Sequence, residues 1–136
     1  MLNREVLQDS LSLVIDDEHE LMLEFYDRLF DEHPEVRAMF GADLRPQATM
    51  LQEAIGAVLD HLEDAEWLDR TLGALGRRHN DLGVTPEMYG WVAGALIATM
   101  AERGGQEWTD EMTAAWTEAL GAVAGLMLDA YPAVAD

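Results

Sequence analysis

The side chains best suited to chemistry are four histidines. His19 and His33 sit in acidic company, Asp16-Asp17-Glu18-His19-Glu20 and Asp31-Glu32-His33, which predicts solvated surface positions. His61 follows Asp60 where a helix is expected to end. A cation is favoured there by the helix dipole, and a surface position is again expected. His79 differs, because it falls in register with Leu68, Leu72, Leu75 and Leu82 on the apolar stripe of its helix. Such a histidine is either a core residue with satisfied ring nitrogens or a metal ligand. The chain has no Cys, and no second His or carboxylate stands at chelating distance along the sequence. Glu-x-x-His and His-x-x-x-His patterns are absent, which disfavours a zinc or di-iron centre.

If His79 is a ligand, the other ligands must come from a cofactor, and haem b, held through its iron by one imidazole, meets that condition. Haem would need a wide apolar slot. Phe25, Phe30, Phe40, Leu51, Leu75, Val84, Val92 and Leu96 could wall one, although each suits ordinary core packing equally. A polar group facing the open coordination side would be needed too. Tyr26 and Gln47 are the candidates, each lying among apolar neighbours on its helix; a buried tyrosine hydroxyl also commonly satisfies a backbone carbonyl. The anionic propionates would look to Arg45, Arg77 or Arg78. Other chemistries find little support. Gly73-Ala74-Leu75-Gly76 lies in a helical pattern and lacks the lysine of a phosphate loop. The only serines are Ser10 and Ser12 on the first helix, the eight methionines suit core filling, and no carboxylate pair stands out as an acid–base couple.

These candidates must be positioned by helices, because three-or-four spacing dominates and strand alternation is nearly absent. Apolar stripes run through Leu7, Leu11, Val14 and Ile15; Met22, Phe25, Tyr26 and Leu29; Leu51, Ile55, Val58 and Leu62; Leu68, Leu72 and Leu75; Tyr89, Val92, Leu96 and Met100; and Met112, Trp116, Leu120, Val123 and Met127. His33-Pro34 breaks the second helix, and Pro46 suits the start of the third. Asn80-Asp81-Leu82-Gly83 predicts a helix end with glycine in the left-handed cap. Thr85-Pro86-Glu87 predicts a capped start, Gly104-Gly105 a break, Thr109 or Asp110 the last cap, and Tyr131-Pro132 the final stop. The expectation is one all-α domain over residues 1–136, with about six long helices and a short one near 34–40.

Composition bounds the partners. The 136 residues carry 27 acids against eight basic residues, all arginine, for a net charge of −19. Such a polyanion is a poor ligand for nucleic acid or an anionic membrane. An apolar fraction of 49% separates it from a disordered acidic tail. The start, Met1-Leu2-Asn3-Arg4-Glu5, lacks the features of a signal peptide, and the longest apolar run, 119–128, is far short of the ~20 residues of a membrane span. A cytoplasmic location is expected.

Two runs resemble a known family. Phe25-Tyr26-Asp27-Arg28-Leu29-Phe30, continuing through His33-Pro34-Glu35-Val36-Arg37-Ala38-Met39-Phe40, is similar to the second and third helices of single-domain bacterial haemoglobins, which are related to the globin part of flavohaemoglobins. Leu75-Gly76-Arg77-Arg78-His79-Asn80-Asp81-Leu82-Gly83-Val84-Thr85-Pro86-Glu87-Met88-Tyr89 resembles their proximal segment, and Trp108-Thr109 with Ala115-Trp116 the start of their last helix. The resemblance implies a globin fold around one haem. It places His79 on the proximal iron ligand, Phe40 on the phenylalanine that stacks on the porphyrin, Tyr26 and Gln47 on the distal pair, Leu51 on the apolar residue over the iron, and Tyr89 on the tyrosine beside the proximal histidine. Leu75, Arg78, Val84 and Val92 complete the expected haem contacts. One departure is clear: where flavohaemoglobins carry a glutamate near the end of the last helix, this chain has Tyr131. The chain is also too short for a flavin reductase module. The expected function is reversible dioxygen binding for storage or delivery, with carbon monoxide and nitric oxide as further ligands, Tyr26 and Gln47 acting on the bound gas. The alternatives are a nitric oxide dioxygenase served by an external reductase, or a gas sensor. Both a monomer and a homodimer are compatible with the sequence.

Overall fold

The computed structural model describes residues 3–16 and 20–131. They form α1 (Arg4–Val14), α2 (Glu20–Glu32), a 3-10 segment (Pro34–Met39), α3 (Arg45–Asp60), α4 (Ala65–Asp81), α5 (Pro86–Gly104), a 3-10 turn (Gly105–Glu107) and α6 (Asp110–Leu128). The six long helices and the short one after Pro34 are those expected; the turn at Gly105 is an addition. His19 and Pro132 lie outside the described residues.

Local chemistry sets the boundaries. Asn3 Oδ1 accepts from Val6 N–H (3.1 Å), Asp64 Oδ1 from Trp67 N–H (3.0 Å), and Thr109 Oγ1 from Met112 N–H (3.2 Å), each satisfying a donor that the first helical turn leaves open. Thr85 occupies the N-cap of α5 in extended conformation, but its side chain makes no capping bond. Pro86 and the acid Glu87 carry that helix start instead. α6 stops at Leu128, three residues before the expected Tyr131.

α2 packs on α5, α4 on α6, and α5 also on α6, while α3 leans on α2 and α1. The core fills these crossings with Leu7, Leu21, Met22, Phe25, Leu96 and Met100, all nearly sealed from solvent. Burying each such side chain stabilises by about 1.5–3 kcal/mol. Two buried hydroxyls are satisfied. Ser10 Oγ accepts from Trp116 Nε1 (2.7 Å) and donates to Val6 O (2.6 Å), tying α1 to α6. Thr99 Oγ1 donates to Ala95 O and accepts from Arg28 Nε (3.0 Å), tying α5 to α2. Arg103 closes the corner between α1 and α2, reaching Val14 O, Asp16 and Glu24.

Three surface expectations change. Leu82, the last member of its stripe, is 64% exposed, because the chain leaves helical geometry there. His33 is half-buried and stacks on Trp91 at 4.1 Å between ring centroids. His61 is half-buried too, stacked on Trp67 at 3.8 Å, with Nδ1 2.7 Å from Ala57 O. An acidic sequence neighbourhood does not reveal an indole arriving from another helix.

Candidate functional site

Between α3, α4, α5 and α6 lies an apolar cavity of about 320 Å³. That size falls in the range of ordinary cofactor pockets, roughly 300–1,000 Å³. α3 contributes Leu51, Ile55 and Val58; α4 contributes Thr71, Leu72, Leu75 and His79; α5 contributes Met88, Tyr89, Val92 and Leu96; α6 closes the wall with Trp116, Leu120, Val123 and Met127. Val84 lies on the same wall, from the segment between α4 and α5.

His79 owes its place to how α4 ends. Gly83 adopts φ +88°, its N–H donates to Asn80 O (3.1 Å), and Val84 N–H donates to His79 O (3.0 Å). This is the six-to-one and five-to-two pairing of a glycine-terminated helix, and it folds the chain back at Val84. One turn before His79, Gly76 lets α4 approach α6 closely: a Cβ there would lie 2.1 Å from Met127 O. The His79 ring is oriented within its own helix, with Nδ1 2.8 Å from Leu75 O. A carbonyl only accepts, so Nδ1 carries a proton, which leaves Nε2 as the ring nitrogen that can meet a metal. A ring held through Nδ1 by a backbone carbonyl is the arrangement that orients a ligating histidine. Tyr89 flanks it at 6.3 Å between ring centroids. The Tyr89 hydroxyl lies 3.0 Å from that of Tyr131, which donates to Val84 O at 2.9 Å. Burial and the Tyr131 contact both push the Tyr89 hydroxyl far above the usual tyrosine range. No carboxylate bonds to the His79 ring among the described residues.

Tyr26 sits on α2, only 6% exposed, in an aromatic cluster with Phe25 (4.8 Å), Phe30 (5.9 Å) and Phe40 (5.4 Å). Its hydroxyl has no hydrogen-bond partner among the described residues. Nor is it sealed: the fully enclosed side-chain polar atom lacking a partner is Gln52 Oε1. Burial pushes the Tyr26 pKa up to about 12, so the hydroxyl remains a donor at any physiological pH. Gln47 is half-buried on α3, one turn before Leu51.

The structure therefore brings seven of the expected residues to one cavity: Leu51, Leu75, His79, Val84, Tyr89, Val92 and Leu96. Tyr26, Phe40, Gln47 and Arg78 are not on its walls. The first three belong to α2, the Pro34–Met39 segment's end and α3, and Arg78 is exposed on α4. Phe25 is core, and Arg45 is held by Asp43 at the surface. Sequence reasoning missed Thr71 and Trp67, and also the whole α6 wall, whose stripe was legible but whose destination was not. A single imidazole on an apolar cavity, with no group of three or more metal-binding side chains among the described residues, suits a cofactor that brings its own metal ligands. The residues present fit haem.

A family model for globins matches residues 23–127. The chain is a globin. The globin is 28% identical over 127 residues to the flavohemoprotein of Rhizobium meliloti (strain 1021), covering 91% of this chain and 32% of that protein. It is 32% identical over 107 residues to the flavohemoprotein of Bordetella pertussis, covering 76% of this chain and 27% of that protein. The globin thus spans about a third of the length of these curated relatives. Its fold is that of a bacterial globin from Campylobacter jejuni, with a TM-score of 0.79, 24% identity, and coverage of 93% of this chain and 92% of that one. Globin membership implies haem as the group for the cavity.

Proposed function

We propose that this globin holds haem b through His79 Nε2 and binds dioxygen reversibly, for storage or delivery. The observation that carries the reading is His79 itself: its Nδ1 proton is committed to Leu75 O and its ring lies on an apolar cavity, which leaves one basic nitrogen for a metal. Haem iron supplies a coordination position that a diatomic gas such as dioxygen, carbon monoxide or nitric oxide occupies. On the opposite side, the Tyr26 hydroxyl has a proton and no acceptor among the described residues, so it donates to a ligand carrying partial negative charge. Gln47 is assigned the second donor, Leu51 and Phe40 exclude water, and the exposed Arg78 meets a propionate. Each hydrogen bond to the gas is worth about 1–1.5 kcal/mol, or roughly tenfold in affinity.

A second reading is enzymatic. The relatives are flavohemoproteins of which this chain matches about a third, which favours a nitric oxide dioxygenase drawing electrons from a separate reductase. Sustained nitric oxide consumption with an added reductase separates it from simple binding. The main reading is tested by the absorption spectrum of the purified chain supplied with haem. A Soret band that shifts with carbon monoxide after reduction is expected, and absence of such a band overturns it.

A further inference from the structure

The two hydroxyls on the proximal wall form a chain with one direction. Val84 O can only accept, so the Tyr131 hydroxyl donates to it at 2.9 Å. With its proton spent there, Tyr131 accepts from Tyr89 across 3.0 Å. Val84 is tied from its other side as well, since its N–H donates to His79 O at 3.0 Å. The end of α6 thereby reaches the segment that ends α4 and the first turn of α5 at once. Two consequences follow for His79. The Tyr89 ring, its flank at 6.3 Å, is held by the phenol oxygen at its far end. The Tyr89 proton goes to Tyr131, and the His79 ring has a neutral carbonyl, Leu75 O, as its own partner.

We propose that Tyr131 is a positioning residue for the ligand histidine, clamping Tyr89 and Val84 so that His79 holds one ring orientation with an uncharged hydrogen-bond partner. The part concerning the ligand rests on the haem reading above; the clamp itself does not. Tyr131→Phe removes one oxygen and leaves the ring, so its packing is preserved. In the haem-free chain, NMR should show the Tyr89 hydroxyl proton exchanging with solvent roughly tenfold faster in Tyr131→Phe, the effect of losing one hydrogen bond. The His79 ring signals should broaden in the same variant. In the haem-loaded protein, the iron–histidine stretching band should widen or shift in Tyr131→Phe while haem content stays unchanged. Because the hydroxyls act in series, the double variant Tyr89→Phe, Tyr131→Phe should perturb that band no more than Tyr131→Phe alone. Equal Tyr89 hydroxyl exchange rates and unchanged His79 signals in the haem-free pair overturn the clamp. If the native chain takes up no haem, the ligand reading fails, and the hydroxyl exchange rates still decide the clamp. An unaltered stretching band at full haem content overturns the positioning role.

Discussion

Tyr26 on α2 and His79 on α4, the two residues assigned to opposite sides of the proposed haem, are each prepared by a different physical cause. Burial keeps the Tyr26 hydroxyl protonated, with a pKa raised from 10.0 to about 12. Dioxygen dissociation is therefore expected to be flat with pH through neutrality and up to about 9, as stopped-flow release rates can check. The folded form holds the proton more tightly, so this contribution to stability is complete below pH 10.0 and is lost as pH rises toward 12. Tyr26→Phe should speed dioxygen release roughly tenfold, the worth of one hydrogen bond; an unchanged off-rate removes Tyr26 from the distal role. His79→Ala should retain the helical circular dichroism but lose stable haem uptake, and a native-like ferrous spectrum in that variant rules out His79 as ligand. The four histidines show how far residue type alone goes. His79 stood out because an apolar stripe is a local property. The stacking of His33 on Trp91 and of His61 on Trp67 was illegible, because it depends on where distant helices cross.

At the scale of elements, the decisive contact is the crossing of α4 and α6. Gly76 meets the Met127 backbone so closely that a methyl group cannot be accommodated by a side-chain adjustment. Gly76→Ala should push α4 off α6, destabilise by about 1–3 kcal/mol, and weaken haem retention because His79 follows one turn later. Thermal melting and haem-transfer rates measure the two effects; an unchanged melting temperature would mean the helices part without strain. Gly83 acts differently. At φ +88° it permits the reversal that carries Val84 back toward His79, and Gly83→Ala should cost about 1 kcal/mol through backbone strain. Proline, glycine and cap residues marked these boundaries in the sequence, since they act within a few residues. Thr85 is the exception: its side chain forms no capping bond, and Pro86 with Glu87 begins the helix instead.

For the molecule as a whole, the −19 charge lies apart from the chemistry. The cavity walls are uncharged except for the titratable His79 and Tyr89, while acids crowd outer surfaces such as the groove of Glu24, Asp27, Asp31, Glu32 and Glu102 around Arg28. Self-repulsion of that surface is screened by salt, so the melting temperature should rise as sodium chloride is added at low ionic strength. An electron donor serving the enzymatic reading should present a basic face, and its reduction rate should fall with salt. A rate indifferent to ionic strength counts against such a donor.

The sequence by itself determined the helices, their ends, the apolar face of each and the candidacy of His79, because helical periodicity, capping and proline or glycine geometry are set within one or two turns of chain. Its resemblance to bacterial haemoglobins also put Tyr131 where a glutamate was expected. Only the tertiary structure decided that α6 forms a wall of the cavity, that the Tyr26 hydroxyl has no hydrogen-bond partner among the described residues, and that Tyr131 ends its chain of hydrogen bonds on Val84 O rather than on His79. Those outcomes join residues as far apart in sequence as Val84 and Tyr131, and the crossing of packed helices, which no local pattern encodes, brings them within hydrogen-bonding distance.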